Sequence, residues 1–140
     1  MTAAFIDTSV LVAAMIEAEA GHVASRKLIA GGGMGMYAHG IAETFSTLTG
    51  GRKPFRMAAE SAHGLLEDHF VPRLEITSLT SSETLRAMRD CSSRGVRGGA
   101  VFDYLHLIAA RKAKTARIYT LNLAHFRAFH RPGDPEIVHP

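Results

Sequence analysis

Short apolar runs alternate along this chain with longer segments in which apolar residues repeat at a helical period. Short runs bounded by turn-forming residues predict buried strands, whereas the longer periodic segments predict amphipathic helices. We therefore predict strands at residues 3–6, 36–38, 74–78, 117–121 and 137–138. We predict helices at residues 9–14, 22–30, 41–48, 57–69, 82–91 and 100–113. Thr8 or Ser9 is the predicted cap of the first helix.

The alternation of strands and helices predicts the fold class. Strand–helix–strand units cross over in a right-handed sense and build a parallel sheet with helices on both faces. We expect an α/β fold, a three-layer α/β/α sandwich with a central parallel sheet, formed as a single domain by residues 1–140. Ligands of such sheets gather outside the carboxyl ends of the strands. Asp7 and Asn122 each follow a predicted strand, so both are candidates for a site.

Asp7 has two interpretations. An aspartate just before a helix accepts hydrogen bonds from free backbone N–H groups as an N-cap. A carboxylate at the end of a strand is equally well placed for chemistry. Because Thr8 and Ser9 could also cap this helix, the sequence leaves both roles of Asp7 open.

Asp103 lies in the most apolar predicted helix. In a helical projection Val101, Leu105 and Ile108 share one face, and Asp103 points roughly opposite, beside Leu107. A helix that is apolar nearly all round is normally buried, so we expect Asp103 to be partly enclosed. An enclosed carboxylate needs a cation or hydrogen bonds to stay ionised. A first-turn acid favoured by the helix dipole is the alternative, but it does not explain the apolar flanks, and we favour a functional role.

Glu43 and His106 carry weaker signals. Glu43 points away from the apolar stripe of its helix, and this pattern alone indicates a surface residue. His106 lies one turn after Asp103 and could orient it or contact a phosphate, although a packing or surface role is the simpler expectation.

Composition narrows the possible chemistry. The single cysteine, Cys91, excludes an internal disulfide and a thiolate metal site within one chain. The eight histidines show no metal-binding cluster, so carboxylate oxygens are the available ligands, and these suit Mg²⁺ or Mn²⁺. A net charge of +3 mildly favours nucleic-acid partners. Neither a secretory signal nor a membrane span is predicted, so we expect a cytoplasmic protein with no membrane partner.

Four segments, taken in order, resemble a PIN domain, with the greatest likeness to the VapC-type toxins of bacterial toxin–antitoxin pairs. They are FIDTSVL at 5–11, IAE at 41–43, GGAVFDYLHLIAA at 98–110 and YTLNLAHF at 119–126. The resemblance extends from about residue 3 to residue 138. It implies that Asp7, Glu43 and Asp103 are the acidic metal ligands of a catalytic site, with Mg²⁺ as cofactor and Mn²⁺ as an alternative. For Glu43 the resemblance, and not its own periodicity, supports this role.

The family often has a fourth acid where this chain has Asn122. An asparagine offers a neutral oxygen ligand or a hydrogen bond but no charge, which weakens a second cation site. Related toxins also carry asparagine here, so the resemblance still implies catalysis with Asn122 as a site residue. The implied activity is hydrolysis of RNA phosphodiester bonds by an endoribonuclease toxin that forms a homodimer and pairs with a cognate antitoxin.

Two alternatives stay open. One is an RNA-binding or scaffolding PIN domain without catalysis, and the other is an unrelated α/β module in which the three acids are structural. Several basic residues are candidate phosphate contacts, although each one alone is expected to be a solvated loop charge. They are Arg52, Lys53, Arg56, Arg94 and Arg97.

Overall fold

The computed structural model of this protein describes residues 2–51 and 56–140. Within those ranges the chain forms five strands, β1 (Ala4–Ile6), β2 (Met34–Tyr37), β3 (Glu75–Thr77), β4 (Arg117–Tyr119) and β5 (Glu136–Val138). The α-helices of the same ranges are α1 (Thr8–Met15), α2 (His22–Ala30), α3 (His39–Gly50), α4 (Ala59–Leu65), α5 (Ser81–Arg94), α6 (Ala100–Lys112) and α7 (Leu123–Phe129).

The strands pair in parallel, in the order β3-β2-β1-β4-β5. The chain builds the sheet from β1 outward to β3 and then crosses to the other side of β1 to add β4 and β5. The strand order therefore reverses between β1 and β4, where open parallel sheets bind their ligands. The backbone N–H of Asp7 donates to the carbonyl of Tyr119 (3.1 Å), so the carboxyl ends of these two strands are joined.

Two cores lie on opposite faces of the sheet because alternate side chains of a strand point to opposite sides. Phe5 belongs to a cluster built with α5, α6 and α7, in which Tyr104 and Phe126 are fully buried. Its neighbours Ala4 and Ile6 belong to a second cluster built with α1 and α2. Helices thus cover both faces, and the predicted α/β/α sandwich with a central parallel sheet is confirmed.

The cap of α1 differs from the prediction. Asp7, in extended conformation, caps the helix by accepting a hydrogen bond from the backbone of Val10, whereas Thr8 and Ser9 already belong to the helix. The prediction that Thr8 or Ser9 caps α1 was therefore wrong. The N-cap interpretation of Asp7 is confirmed, and Asp7 is also buried at the end of β1.

Two helical segments also differ from the prediction. The helix expected at 57–69 has regular α geometry only as α4, which continues into a π-helical turn at Leu66–Phe70 and a 3₁₀ turn at Val71–Arg73. Pro72 lacks the N–H that a continued α-helix would need. Helix α7 was not predicted.

None of the helices in residues 2–51 and 56–140 has the length and apolar character that a membrane-spanning segment needs.

Candidate functional site

Asp7 is the innermost carboxyl group at this edge of the sheet, with only 1% of its surface exposed. Its Oδ1 accepts hydrogen bonds from Ser9 Oγ (2.6 Å) and from the Val10 backbone N–H (3.2 Å). Its Oδ2 accepts one from Thr120 Oγ1 (2.7 Å), just beyond β4. Burial raises the pKa of Asp7, and the nearby His106 and these hydrogen bonds only partly offset that effect.

Glu43 reaches the same region from α3. Its side chain is 24% exposed, and Oε1 accepts a hydrogen bond from His106 Nε2 at 2.9 Å. Thr8 Oγ1 and His39 Nδ1 each lie 3.3 Å from the same oxygen. Burial raises the pKa of Glu43, but hydrogen bonds and charge interactions with His106 and His39 outweigh it and lower the pKa. The surface position that its own periodicity predicted is wrong, because these contacts hold the carboxylate inward.

His106 is a fully buried histidine of α6 that positions Glu43. Its Nε2 also lies 3.2 Å from Thr8 Oγ1, and its ring makes an edge contact with Tyr37 at a centroid distance of 5.4 Å. Among the described residues Nδ1 has no hydrogen-bond partner. Gly40 leaves the room for this ring, since a Cβ there would lie 2.9 Å from His106 Cε1. The expected packing role is confirmed, and the polar contacts of the ring are with Glu43 and Thr8.

Asp103 enters the site from the first turn of α6. Its side chain is 27% exposed, and Oδ2 lies 3.6 Å from His125 Nδ1 of α7. A cleft of about 420 Å³ between the start of α6 and α7 is lined by both residues. The predicted partial enclosure of Asp103 is confirmed, and this carboxyl group is open to a molecule entering the cleft.

Asp103 is affected electrostatically by the other two carboxyl groups. Burial raises the pKa of Asp103, and the negative charges of Asp7 and Glu43 raise it further. His106 and His125 act in the opposite direction. The contacts agree with this, because Thr8, directly after Asp7, contacts Glu43, and His106, one turn after Asp103, contacts both Thr8 and Glu43. The fold thus brings the three acids into one region. In residues 2–51 and 56–140, no group of three or more His, Cys, Asp or Glu side chains is arranged to hold a metal ion.

The sequence between residues 4 and 130 matches the family model described as the PIN domain. The chain belongs to the PIN domain family. The resemblance to VapC-type toxins is confirmed by a curated relative, Ribonuclease VapC40 of Mycobacterium tuberculosis, which is 34% identical over 134 residues. That match covers 89% of this chain and 90% of the relative, whose name supports the predicted nuclease class.

Solved structures share the PIN fold of this chain. The crystal structure of Mycobacterium tuberculosis VapC20, a sarcin–ricin loop cleaving toxin, superposes with a TM-score of 0.72 at 21% identity, covering 99% of this chain and 100% of that one. VapBC2 from Rickettsia felis, bound to a DNA fragment from its promoter, gives a TM-score of 0.69 at 18% identity with 99% of each chain covered. Both likenesses establish the architecture.

Two hydroxyl groups of this PIN domain were not predicted as site residues. Thr120 is fully buried, and its Oγ1 accepts from the Asn122 backbone N–H (2.9 Å) while donating to Asp7. Ser9 Oγ donates to Asp7 and accepts from the Leu121 backbone N–H (3.0 Å). Together they connect the loop after β4 to the Asp7 carboxylate. A threonine and a serine beside predicted strand ends were the available signal.

Asn122 lies at this loop, but its side chain is exposed and does not cap α7. Its backbone N–H, by contrast, bonds to Thr120, which contacts Asp7. The structure therefore brings the backbone of Asn122 to the site. A part in catalysis for its amide side chain stays a prediction.

The basic residues predicted as candidate phosphate contacts have different surroundings. Arg94 donates to Asp134 Oδ2 (2.5 Å) and to the Phe129 carbonyl, so its guanidinium is used in a mostly buried ion pair, and its candidacy was wrong. Arg97 is exposed just before α6. Arg56 is exposed and donates to the Gly51 carbonyl. The other two candidates, Arg52 and Lys53, lie outside the described residues.

Proposed function

We propose that this PIN domain is a metal-dependent endoribonuclease that hydrolyses RNA phosphodiester bonds as the toxin of a type II toxin–antitoxin pair. The observation that carries the proposal is the proximity of three carboxyl groups beside the strand-order reversal of the sheet. His106 and Thr8 both contact Glu43, Thr8 directly follows Asp7, and His106 lies one turn after Asp103. Perturbed titratable groups in a cleft are typical of active sites. RNA as substrate is supported by the name of the relative, Ribonuclease VapC40.

The donor chemistry fits Mg²⁺, with Mn²⁺ as an alternative. Carboxylate oxygens are the ligands these ions prefer. A cation would offset both the burial and the repulsion from Asp7 and Glu43 that raise the pKa of Asp103. A carboxylate offers roughly four acceptor positions, and the hydrogen bonds to Asp7 named above leave one on Oδ2. Mg²⁺ commonly binds one or two carboxylates directly and keeps several waters, so it does not require three preformed protein ligands.

Asp7, Glu43 and Asp103 would hold the cation, and a bound cation would supply Lewis-acid stabilisation of the charge that develops on the phosphate. The protein's own residues hold the carboxylates in position. Ser9 and Thr120 fix the Asp7 carboxylate, while His106 fixes Glu43. The partly exposed Asp103 faces the cleft, where it is placed to accept a proton from attacking water.

A cleavage assay tests the proposal. Purified protein is incubated with structured and single-stranded RNA in Mg²⁺, in Mn²⁺ and in EDTA. We expect cleavage with either metal and none in EDTA, and we expect Asp7→Asn and Asp103→Asn to lose at least about a hundredfold of the activity. The asparagine variants keep the shape of each side chain, and Asp7→Asn keeps an oxygen for the cap of α1. Cleavage that persists in EDTA or in both variants would refute the metal mechanism.

The second candidate is an RNA-binding or scaffolding PIN domain without catalysis. It is favoured by the exposed Asn122 in place of a fourth acid and by the lack of a ready metal-holding group within the described residues. This candidate predicts that RNA binds without being cut and that Mn²⁺ does not raise the melting temperature. A metal-dependent rise in the melting temperature that disappears in Asp103→Asn would instead favour the endoribonuclease.

The remaining expectations belong to the same proposal. We expect residues 1–140 to act as a single domain in the cytoplasm, as a homodimer, and to bind a cognate antitoxin. The antitoxin is supported by VapBC2 from Rickettsia felis, a complex that contains a chain with the same fold as this protein. Light scattering of the purified protein checks the dimer, and co-purification with the product of an adjacent reading frame checks the antitoxin.

A further inference from the structure

Two aromatic side chains form a partly exposed stack beside the carboxyl groups. The rings of His39, at the start of α3, and Phe102, in the first turn of α6, have centroids 5.5 Å apart and planes inclined by 7°. Phe102 is 44% exposed and the His39 side chain 46%. Glu43 lies one turn after His39, and Asp103 directly follows Phe102. The stack therefore borders the candidate site on two helices.

The core does not account for Phe102. The next residues of α6, from Tyr104 to Leu107, are all buried, whereas Phe102 leaves a large aromatic surface in water and so forgoes the stabilisation that burial gives. Parallel rings with centroids this far apart are offset and overlap only in part, so aromatic surface stays uncovered. His39 is held by its contact with Glu43 (3.3 Å) and by the neighbouring Tyr37 ring (6.0 Å). The stack is thus fixed in place before any ligand arrives.

We propose that the His39–Phe102 stack is a platform for an unpaired nucleobase of the RNA substrate, which it holds next to the carboxyl groups. This inference rests on the proposed function for the identity of the ligand. Proteins that bind unpaired RNA stack bases on aromatic side chains, and such stacking tolerates any base because every base has a π-face. The platform consequently selects for an unpaired nucleotide at the cleavage position more than for a particular sequence.

The test uses a short single-stranded oligoribonucleotide that carries 2-aminopurine, whose fluorescence is quenched when it stacks. Binding and quenching are measured in EDTA, so that neither depends on cleavage, and kcat/KM is measured in Mg²⁺. We expect the wild-type protein to quench the probe. Phe102→Ala and Phe102→Leu should lose the quenching and about 5- to 150-fold in affinity, the range of one base–aromatic stack. Phe102→Trp should retain both. Leu85→Ala is the matched control, since Leu85 of α5 is 62% exposed and contributes no aromatic ring.

The outcomes separate this inference from the proposed function. Quenching that depends on Phe102 in a protein that never cleaves RNA would support the platform and refute the endoribonuclease. Cleavage by the wild-type protein with unchanged binding and kcat/KM in Phe102→Ala would overturn the platform alone. An unquenched wild-type complex, or an equal loss in Leu85→Ala, would also overturn it. Circular dichroism melting shows that each variant is folded.

Discussion

Replacing Gly40 by alanine is expected to disturb the contact between His106 and Glu43. The added Cβ would lie 2.4 Å from Met36 Cε and 2.9 Å from His106 Cε1. Met36 has a flexible end but is fully buried, and the rigid His106 ring is held by Glu43 and Thr8. Overpacking costs about 1–3 kcal/mol, and two contacts under 3.0 Å place this substitution in the upper part of that range, at about 2–3 kcal/mol. Alanine gains about 1 kcal/mol over glycine in a helix. The net loss should be about 1–2 kcal/mol.

Thermal unfolding and RNA cleavage together measure this effect. For a chain of 140 residues the loss corresponds to a fall in melting temperature of about 3–8 °C. We expect kcat/KM to fall as well, because the displaced ring no longer fixes Glu43. Gly64→Ala is the matched control, since Gly64 also lies in a helix but a Cβ added there would meet no other part of the described chain within 4 Å; it should gain about 0.5–1 kcal/mol. A Gly40→Ala protein as stable and as active as Gly64→Ala would refute the reasoning.

Two further predictions concern charged groups. Asp103→Asn removes a partly buried charge that Asp7 and Glu43 repel. In EDTA it should therefore raise the free energy of unfolding by about 0.5–2 kcal/mol, while RNA cleavage in Mg²⁺ is lost. An unchanged or lower melting temperature contradicts this prediction. Burial raises the pKa of Asp134, but the hydrogen bond and charge of Arg94 outweigh it and lower the pKa. The resulting stability is present above the ordinary pKa of 3.8 and is lost as pH falls through the lower folded value. Asp134→Asn should therefore lower the free energy of unfolding by about 2–4 kcal/mol at neutral pH. Chemical denaturation at several pH values should show the difference between wild type and variant shrinking below about pH 4. A difference that stays constant with pH contradicts the assignment.

Patterns local in sequence predicted most of the fold. The β1 run and the periodicity of α6 could be read directly, because burial of a strand and of an apolar helix leaves its mark on consecutive residues. Helix α7 was missed because it is short and its buried residues, Phe126 and Phe129, repeat only once. The change from α4 to a π-helical turn at Leu66–Phe70 leaves no pattern in the sequence, whereas Pro72 marks where the helical segment ends.

The site was less predictable because its contacts join distant parts of the chain. Glu43 shows a surface pattern on its own helix, and its distant partners Thr8, 35 residues earlier, and His106, 63 residues later, hold it inward. Arg94 looked free because its partner Asp134 lies 40 residues away. Long-range pairs of this kind leave no periodic signal. For Glu43 the family resemblance supplied what periodicity could not.

The two carboxylate oxygens of Asp7 make different hydrogen bonds, and this affects how related chains diverge. Oδ1 caps α1 and Oδ2 holds Thr120 beyond the neighbouring strand, so a descendant without activity would still need a capping side chain here. Selection for folding alone would keep aspartate or asparagine at position 7. Asp103, which its neighbours destabilise as an anion, brings no comparable benefit to folding. In a lineage drifting toward inactivity Asp103 would be lost first, and its presence is the better record of an enzyme still under selection.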